Sequence, residues 1–265
     1  MRTTIFYFTS TGNSLAAARR FAEKLGNTEL VSIPCAAGAE PDCSSDRIGF
    51  VFPVYMWGLP NIVREFITAC SFNESQYTFA IATCGGFAGG TLVQAGNLIR
   101  KRGGTLCAGF GVKMVGNYTP LYGAPPEERQ SYLLSKAKEK LNKALSCVKE
   151  ENRGTVEKGF FLTRWLLSGF VYRMGIKRIR KEDRNFSAED SCTSCGICSD
   201  VCPVNNIEMV EGKPVWQHRC EHCMGCLQWC PEQAIQFKSK TKGRRRYHHP
   251  DVTMQDIKQS SKSAV

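Results

Sequence analysis

The sequence predicts an α/β fold: a doubly wound, five-stranded parallel sheet over residues 1–150, and a small α+β domain over residues 186–240. Three observations carry this reading. Apolar strand-like runs alternate with helix-periodic runs through the first 150 residues, the mark of strand–helix–strand units. The chain has 265 residues, 42% of them hydrophobic, enough for two domains with buried cores. Of its 14 cysteines, eight fall in two tight, regular runs near the C-terminus.

The elements follow in order. Thr4 to Phe8 is an apolar, β-rich first strand. Leu15, Ala18, Ala22 and Leu25 recur at helical spacing, and Gly26 stops that helix. Glu29 to Ile33 is a short strand. Ile48 to Val54 is continuously apolar, as a strand buried on both faces must be. Pro60 opens a helix that buries Ile62, Val63, Phe66 and Ile67. Tyr77 to Thr83 is the fourth strand, followed by a glycine-rich turn and a helix from Gly90 to Arg102 that Gly103 caps. Leu106 to Met114 is the fifth. A long helix begins after Pro125–Pro126 and uses Leu134, Leu141, Leu145 and Val148. Ligands of such sheets lie beyond the carboxyl ends of the strands, so the loops after strands one, three and four are the candidate site.

Residues 151–185 form a basic helical connector. Its apolar stretch Phe160 to Tyr172 is too short to span a bilayer. It is expected to pack between the domains, with a membrane-surface helix as the lesser alternative. Residues 241–265 form a basic and then polar tail whose last ten residues are expected to fray. The N-terminal apolar run is a strand rather than an export signal, and a cytoplasmic location is expected.

The formal charge of +11 is concentrated in Arg173 to Arg184 and Lys238 to Arg246. Neither run is interleaved with aromatic residues on a nucleic-acid-binding pattern, so nucleic acid is excluded as a partner. A solvated charged face, or docking to an acidic protein or anionic surface, remains.

The two cysteine runs, Cys192 to Ile207 and Cys220 to Ile235, are copies related by a shift of 28 residues. Each reads C-x2-C-x2-C-x3-C-P. Three cysteines at every third residue wrap one [4Fe–4S] cube, and in this pattern the fourth cysteine ligates the other cube. One ligand set is then Cys192, Cys195, Cys198 and Cys230; the other is Cys202, Cys220, Cys223 and Cys226. Gly196 and Gly225 are expected to let backbone amides approach the sulfurs. Zinc favours two C-x2-C pairs on a longer loop and four ligands in all, which two complete quartets do not match. The region from Phe186 to Phe237 resembles the bacterial two-cluster ferredoxins throughout.

After the first strand, Thr9-Ser10-Thr11-Gly12-Asn13-Ser14 leads into a helix. Hydroxyls, a glycine and free amides at a helix N-terminus make an anion site without any lysine. This loop resembles the phosphate loop of flavodoxins. Pro53-Val54-Tyr55-Met56-Trp57-Gly58 and Thr83-Cys84-Gly85-Gly86 fall where flavodoxin-like flavoproteins place the loops beside the isoalloxazine ring. The resemblance implies that Ser10, Thr11, Asn13 and Ser14 bind an FMN phosphate. It implies that Tyr55 or Trp57 stacks on the ring and that backbone near Gly58 and Gly85 meets its edge. Asn117 and Tyr118 would close the rim. No G-x-G-x-x-G follows the first strand, which excludes a dinucleotide site of the dehydrogenase type.

Most of the chain therefore resembles the flavodoxin–ferredoxin fusion proteins of anaerobic bacteria and archaea. The resemblance implies FMN, two [4Fe–4S] clusters and redox partner proteins, and a homodimer is a further expectation. Flavodoxins and ferredoxins are usually acidic, and this chain departs from that pattern. The leading expectation is an electron carrier between clusters and FMN. The alternatives are an FMN-dependent reductase of a small organic substrate and a redox sensor with a non-flavin N-terminal domain. The reductase needs a proton donor over the flavin. The four histidines all lie in the last third of the chain, which leaves Tyr55, Cys84 and Tyr118.

Overall fold

In the computed structural model, which describes residues 1–36, 38 and 40–262, the first half of the chain winds a parallel sheet. Its strands are β1 (Thr3–Tyr7), β2 (Thr28–Ser32), β3 (Arg47–Pro53), β4 (Tyr77–Cys84), β5 (Leu106–Lys113) and β6 (Thr155–Val156). The order across the sheet is β2-β1-β3-β4-β5-β6, the doubly wound order of a flavodoxin-like fold with one strand added. The sheet is thus six-stranded, not five-stranded. β6 pairs two residues with β5, Ala108 with Thr155 and Gly109 with Val156, and it comes from the segment read as connector. A two-residue strand carries no periodicity to read.

Helices α1 (Asn13–Leu25), α2 (Ile33–Ala36), α3 (Asn61–Ala69), α4 (Thr91–Lys101) and α5 (Glu127–Lys149) connect the strands. Two apolar clusters form the core, one on each side of the sheet. One joins α1 and α5 to the sheet through Phe21, Phe79, Phe110, Leu141 and Val148. The other joins α3 and α4 through Phe50, Phe52, Phe66, Ile67 and Ile99.

The connector continues as α6 (Phe161–Thr163), a π-helical stretch (Arg164–Val171), α7 (Tyr172–Arg178) and a 3-10 stretch (Ile179–Asn185). One face docks on the sheet domain. The Tyr172 hydroxyl donates to Leu59 O at 2.7 Å, and Gly90 N donates to Ser168 Oγ at 2.7 Å.

The cysteine-rich region contains β7 (Phe186–Ala188), α8 (Ile197–Asp200), β8 (Ile207–Val210), β9 (Lys213–Trp216), α9 (Gly225–Gln228) and β10 (Ile235–Phe237). β7 pairs antiparallel with β10, and β8 with β9. The repeat read from sequence extends to backbone conformation. Left-handed residues occur at Ser194, Gly196 and Asn205, and 28 positions on at His222, Met224 and Gln233. The second left-handed position is a glycine in the first copy and Met224 in the second. Gly225 begins α9 instead and has no positive φ.

The tail does not fray where expected. Residues 254–261 form α10 (Met254–Ser261), started by a Thr253–Asp256 capping box. Ile257 is buried in the sheet domain's core beside Val252. The last three residues of the tail lie outside the described residues. Among the described residues, no helix is long and apolar enough to cross a membrane.

Candidate functional site

A cavity of about 450 Å³ lies beyond the carboxyl ends of the strands, at the switch point between β1 and β3. The sheet domain contributes the loops after β1 (Thr9, Ser10, Thr11, Asn13, Ser14), β3 (Pro53, Val54, Tyr55, Met56, Trp57), β4 (Thr83, Cys84, Gly85, Gly86) and β5 (Asn117, Tyr118). Of the residues expected there, Gly12 and Gly58 are not in the wall. Both are held for packing. A Cβ on Gly12 would lie 2.8 Å from Cβ of His249 and of Val252, and Gly12 has a φ of 98°. A Cβ on Gly58 would lie 2.3 Å from the Tyr172 ring.

The loop after β1 is buried, and several of its polar atoms serve the fold. Ser10 Oγ donates to Cys223 O at 2.9 Å. Asn13 Nδ2 donates to Val115 O at 2.9 Å, and Asn13 Oδ1 accepts from the Tyr247 hydroxyl at 2.7 Å. Ser10 therefore has no spare side-chain proton for an anion, whereas Asn13 Nδ2 keeps one of its two. Thr11 Oγ1 accepts from Asn117 Nδ2 at 3.1 Å and keeps its own proton. Ser14 and Thr83 share a hydrogen bond of 2.9 Å. The first amides of α1 have no acceptor within the helix, and they add to the positive end of its dipole.

The loop after β3 makes a tight turn. Tyr55 N donates to Gly58 O and Gly58 N to Tyr55 O, both at 2.9 Å. The two residues between, Met56 and Trp57, have φ of 49° and 60°, a conformation that costs side-chain-bearing residues energy and marks functional loops. Trp57 sits against Phe87, with ring centroids 6.0 Å apart. The Tyr55 hydroxyl is buried without a hydrogen-bond partner, and burial raises its pKa well above the usual tyrosine range. Partial burial pushes the Cys84 thiol up to about 11.

Several wall residues went unforeseen. Phe87, Val115, Gly116, Leu121 and Tyr122 extend the expected loops by a few positions. Ile179 comes from the connector, and His222, Cys223 and Met224 come from the second cysteine run. The cavity loops themselves contain no histidine, but the other domain supplies one. Burial pushes His222 down to about 4, so its ring is neutral at pH 7, and Nε2 has no partner. Its neighbour Glu221 is 2% exposed and is pushed up to about 7 by burial, against which the Ile62 and Asn61 amides at the start of α3 act. Only a pattern spanning the two domains could have pointed to these residues.

The cysteines gather as two quartets drawn from both runs. Cys192, Cys195, Cys198 and Cys230 line one small cavity. Cys226 lies within electrostatic reach of Cys220, Cys223 and Cys202, and more weakly of Cys198. Backbone amides donate to sulfur at Cys202 (Asn206 N, 3.2 Å) and Cys220 (His222 N, 3.1 Å). Burial drives the Cys198 thiol up to about 11 and Cys223 to about 12, so without metal these thiols are neutral. Coordination deprotonates them. Among the described residues no three His, Cys, Asp or Glu side chains close on a point fit for a single metal ion. A [4Fe–4S] cube sets its thiolates farther apart than one ion does.

Residues 191–235 match the 4Fe-4S dicluster domain family. No curated protein matches the chain. Among solved structures, the chain is similar to the Fusobacterium nucleatum flavodoxin bound to flavin mononucleotide, at 15% identity and a TM-score of 0.41, covering 58% of this chain and 100% of that one. The Streptococcus pneumonia TIGR4 flavodoxin has 15% identity and a TM-score of 0.37, covering 54% and 99%. The azoreductase from Bacillus anthracis str. Sterne has 10% identity and a TM-score of 0.36, covering 57% and 100%. The likeness is one of fold alone. The chain joins a flavodoxin-like N-terminal domain to a C-terminal iron–sulfur domain of the dicluster family, as flavodoxin–ferredoxin fusions do.

Proposed function

We propose that the protein relays electrons between two [4Fe–4S] clusters and an FMN held in the cavity at the sheet's switch point. The observation that carries this is the shared wall: Cys223 and Met224 of the second cysteine run line the same cavity as the loops after β1, β3 and β4. The residues fit the groups. The cavity volume is within the range of cofactor sites, and its lining is mainly aromatic and apolar with few polar atoms. The α1 amides with Thr11 and Ser14 would hold a phosphate, and Tyr55 and Trp57 would flank a ring. Cys192, Cys195, Cys198 and Cys230 would hold one cluster; Cys202, Cys220, Cys223 and Cys226 the other. Bound FMN supplies a one- or two-electron carrier, and each cluster a one-electron carrier. The chain holds the inner thiolates against the flavin cavity, excludes water from it and tunes the potentials by burial and amide–sulfur hydrogen bonds.

Anaerobic purification followed by iron, sulfide and flavin assays tests this. About eight iron and about one FMN per chain are expected. No flavin after FMN addition sinks the relay and leaves an iron–sulfur protein with a docking or sensing domain. A second reading, reduction of a small organic molecule over the flavin, is favoured by the unpartnered Tyr55 hydroxyl in the wall. Loss of substrate reduction in Tyr55→Phe, with electron transfer to one-electron acceptors intact, would distinguish it.

A further inference from the structure

The connector carries a second face that the relay does not use. Phe160, Phe161, Leu162, Trp165, Leu166 and Phe170 are all at least half exposed, Trp165 at 73%. Soluble proteins seldom leave such a contiguous apolar patch in water without a partner for it. The backbone explains how the patch forms. From Arg164 to Val171 the helix is π-helical, and Tyr172 N donates to Leu167 O five residues back. In an α-helix, Trp165 and Phe170 would lie roughly 140° apart around the axis. In the wider π-helix a turn closes about every fifth residue, so the two side chains stack on one side. Ser168 and Tyr172, on the other side, are buried and bonded to the sheet domain.

The charge around the patch has one sign. Every charged residue from Lys158 to Lys181 is basic. Arg173, Lys177, Arg178 and Lys181 are exposed, and among the described residues none of their side chains has an ion-pair partner. We propose that this face docks onto an anionic membrane surface, with Trp165, Phe170 and their apolar neighbours entering the headgroup–acyl boundary and the basic residues meeting lipid phosphates. An aromatic and aliphatic ridge with a basic continuation on the same helix is the composition of an interfacial amphipathic helix. The absence of a spanning helix among the described residues leaves lying on the surface as the mode available to this segment. A second copy of the chain suits the face poorly, because two such faces would oppose like charges. The connector's opposite, inner side adjoins the cavity, where Met56 of the wall lies against Gly175 on α7.

The test is sedimentation of the purified full chain, cofactors bound, with vesicles of equimolar phosphatidylglycerol and phosphatidylcholine, and with phosphatidylcholine alone. Partition to the anionic vesicles is expected to exceed that to neutral ones by about tenfold or more, and to fall as salt rises. Trp165→Ser/Phe170→Ser should lose about tenfold of the anionic binding. Arg173→Glu/Lys177→Glu should lose as much. Because these side chains are exposed, the visible absorption of the bound cofactors should not change. Failure to bind anionic vesicles overturns the proposal, as does equal binding by the variants. A lipid-free dimer abolished by Trp165→Ser/Phe170→Ser also overturns it, in favour of a second copy as the occupant.

Discussion

The two cysteine runs share one sequence pattern and one backbone, yet their surroundings differ. In the first run Cys195 is exposed, Cys192 is half-buried, and nothing lies within 4 Å of where a Cβ on Gly196 would stand. In the second, Cys223 and Cys226 are buried, and a Cβ on Gly225 would lie 3.8 Å from Cβ of Ser10 in the loop after β1. The second run is also clamped: Ser10 Oγ donates to Cys223 O, and Trp229 Nε1 donates to Ser10 O at 2.7 Å. Duplication made the two ligand sets alike, and packing against the sheet domain made them different. On the proposed relay, the more exposed quartet would exchange electrons with a partner protein, and the buried one with the cavity.

The sharpest way to break this comparison is to remove one ligand from each run. Cys195→Ser and Cys226→Ser should each lose about four of about eight irons. Only Cys226→Ser should also weaken FMN binding, by about tenfold or more, because its run forms part of the cavity wall. Iron analysis with flavin titration checks both, and equal flavin loss in the two variants would remove the distinction.

Ser10→Ala tests the inner clamp. It leaves the buried Cys223 carbonyl without this donor and should cost about 1–3 kcal/mol in denaturant unfolding. The quartet of Cys192, Cys195, Cys198 and Cys230 should keep its cluster in that variant.

Arg246 separates the runs differently. It came from a basic stretch read as a solvated face, but its guanidinium is partly buried and donates to Ile235 O at 3.2 Å. Nε and Nη1 have no partner, and the guanidinium lies within electrostatic reach of Cys230 and Cys226. A buried cation favours the more negative, reduced form of a nearby cluster, so Arg246→Gln should lower the cluster potentials without changing iron content. Anaerobic potentiometry reads the shift, and unchanged potentials would show that its role is packing.

What could be read from sequence was local. The hydroxyl loop Thr9–Ser14 and the turn at Tyr55–Gly58 stand out because their chemistry lies within six consecutive residues. Parallel pairing in a doubly wound sheet followed from alternation of strand and helix. The clamp between Ser10 and Cys223 joins positions 213 apart, His222 and Ile179 reach the cavity from other parts of the chain, and no periodicity connects them. Gly12 and Gly58 belong to the right loops but serve other contacts, since what they touch, Val252 and Tyr172, arrives from far along the chain. The tail looked frayed because a short polar helix owes its stability to the surface it meets.

That tail is also what holds the exposed run. Lys258 Nζ pairs with Asp200 at 2.9 Å, and Ser261 Oγ donates to Val201 O at 3.1 Å, both partners lying in the first run's helical turn. At its other end, α10 is fixed by Arg19, which bonds Asp256 and holds that carboxyl down at about 2. An unperturbed aspartate titrates near 4. Because the folded pKa is the lower one, this contribution to stability is present above about pH 4 and is lost as pH falls towards 2. The difference in unfolding free energy between the native chain and Asp256→Asn should therefore be constant from neutral pH down to about 5 and shrink below about 4. Acid damage to the clusters is common to both proteins and cancels in that difference. Thr253→Ala, which removes the other half of the capping box, should cost about 1 kcal/mol. Both variants should loosen the exposed run and speed its loss of iron to a chelator, while flavin binding at the buried run stays unchanged. A parallel loss of flavin would mean that α10 supports the whole interface between the domains rather than its outer half.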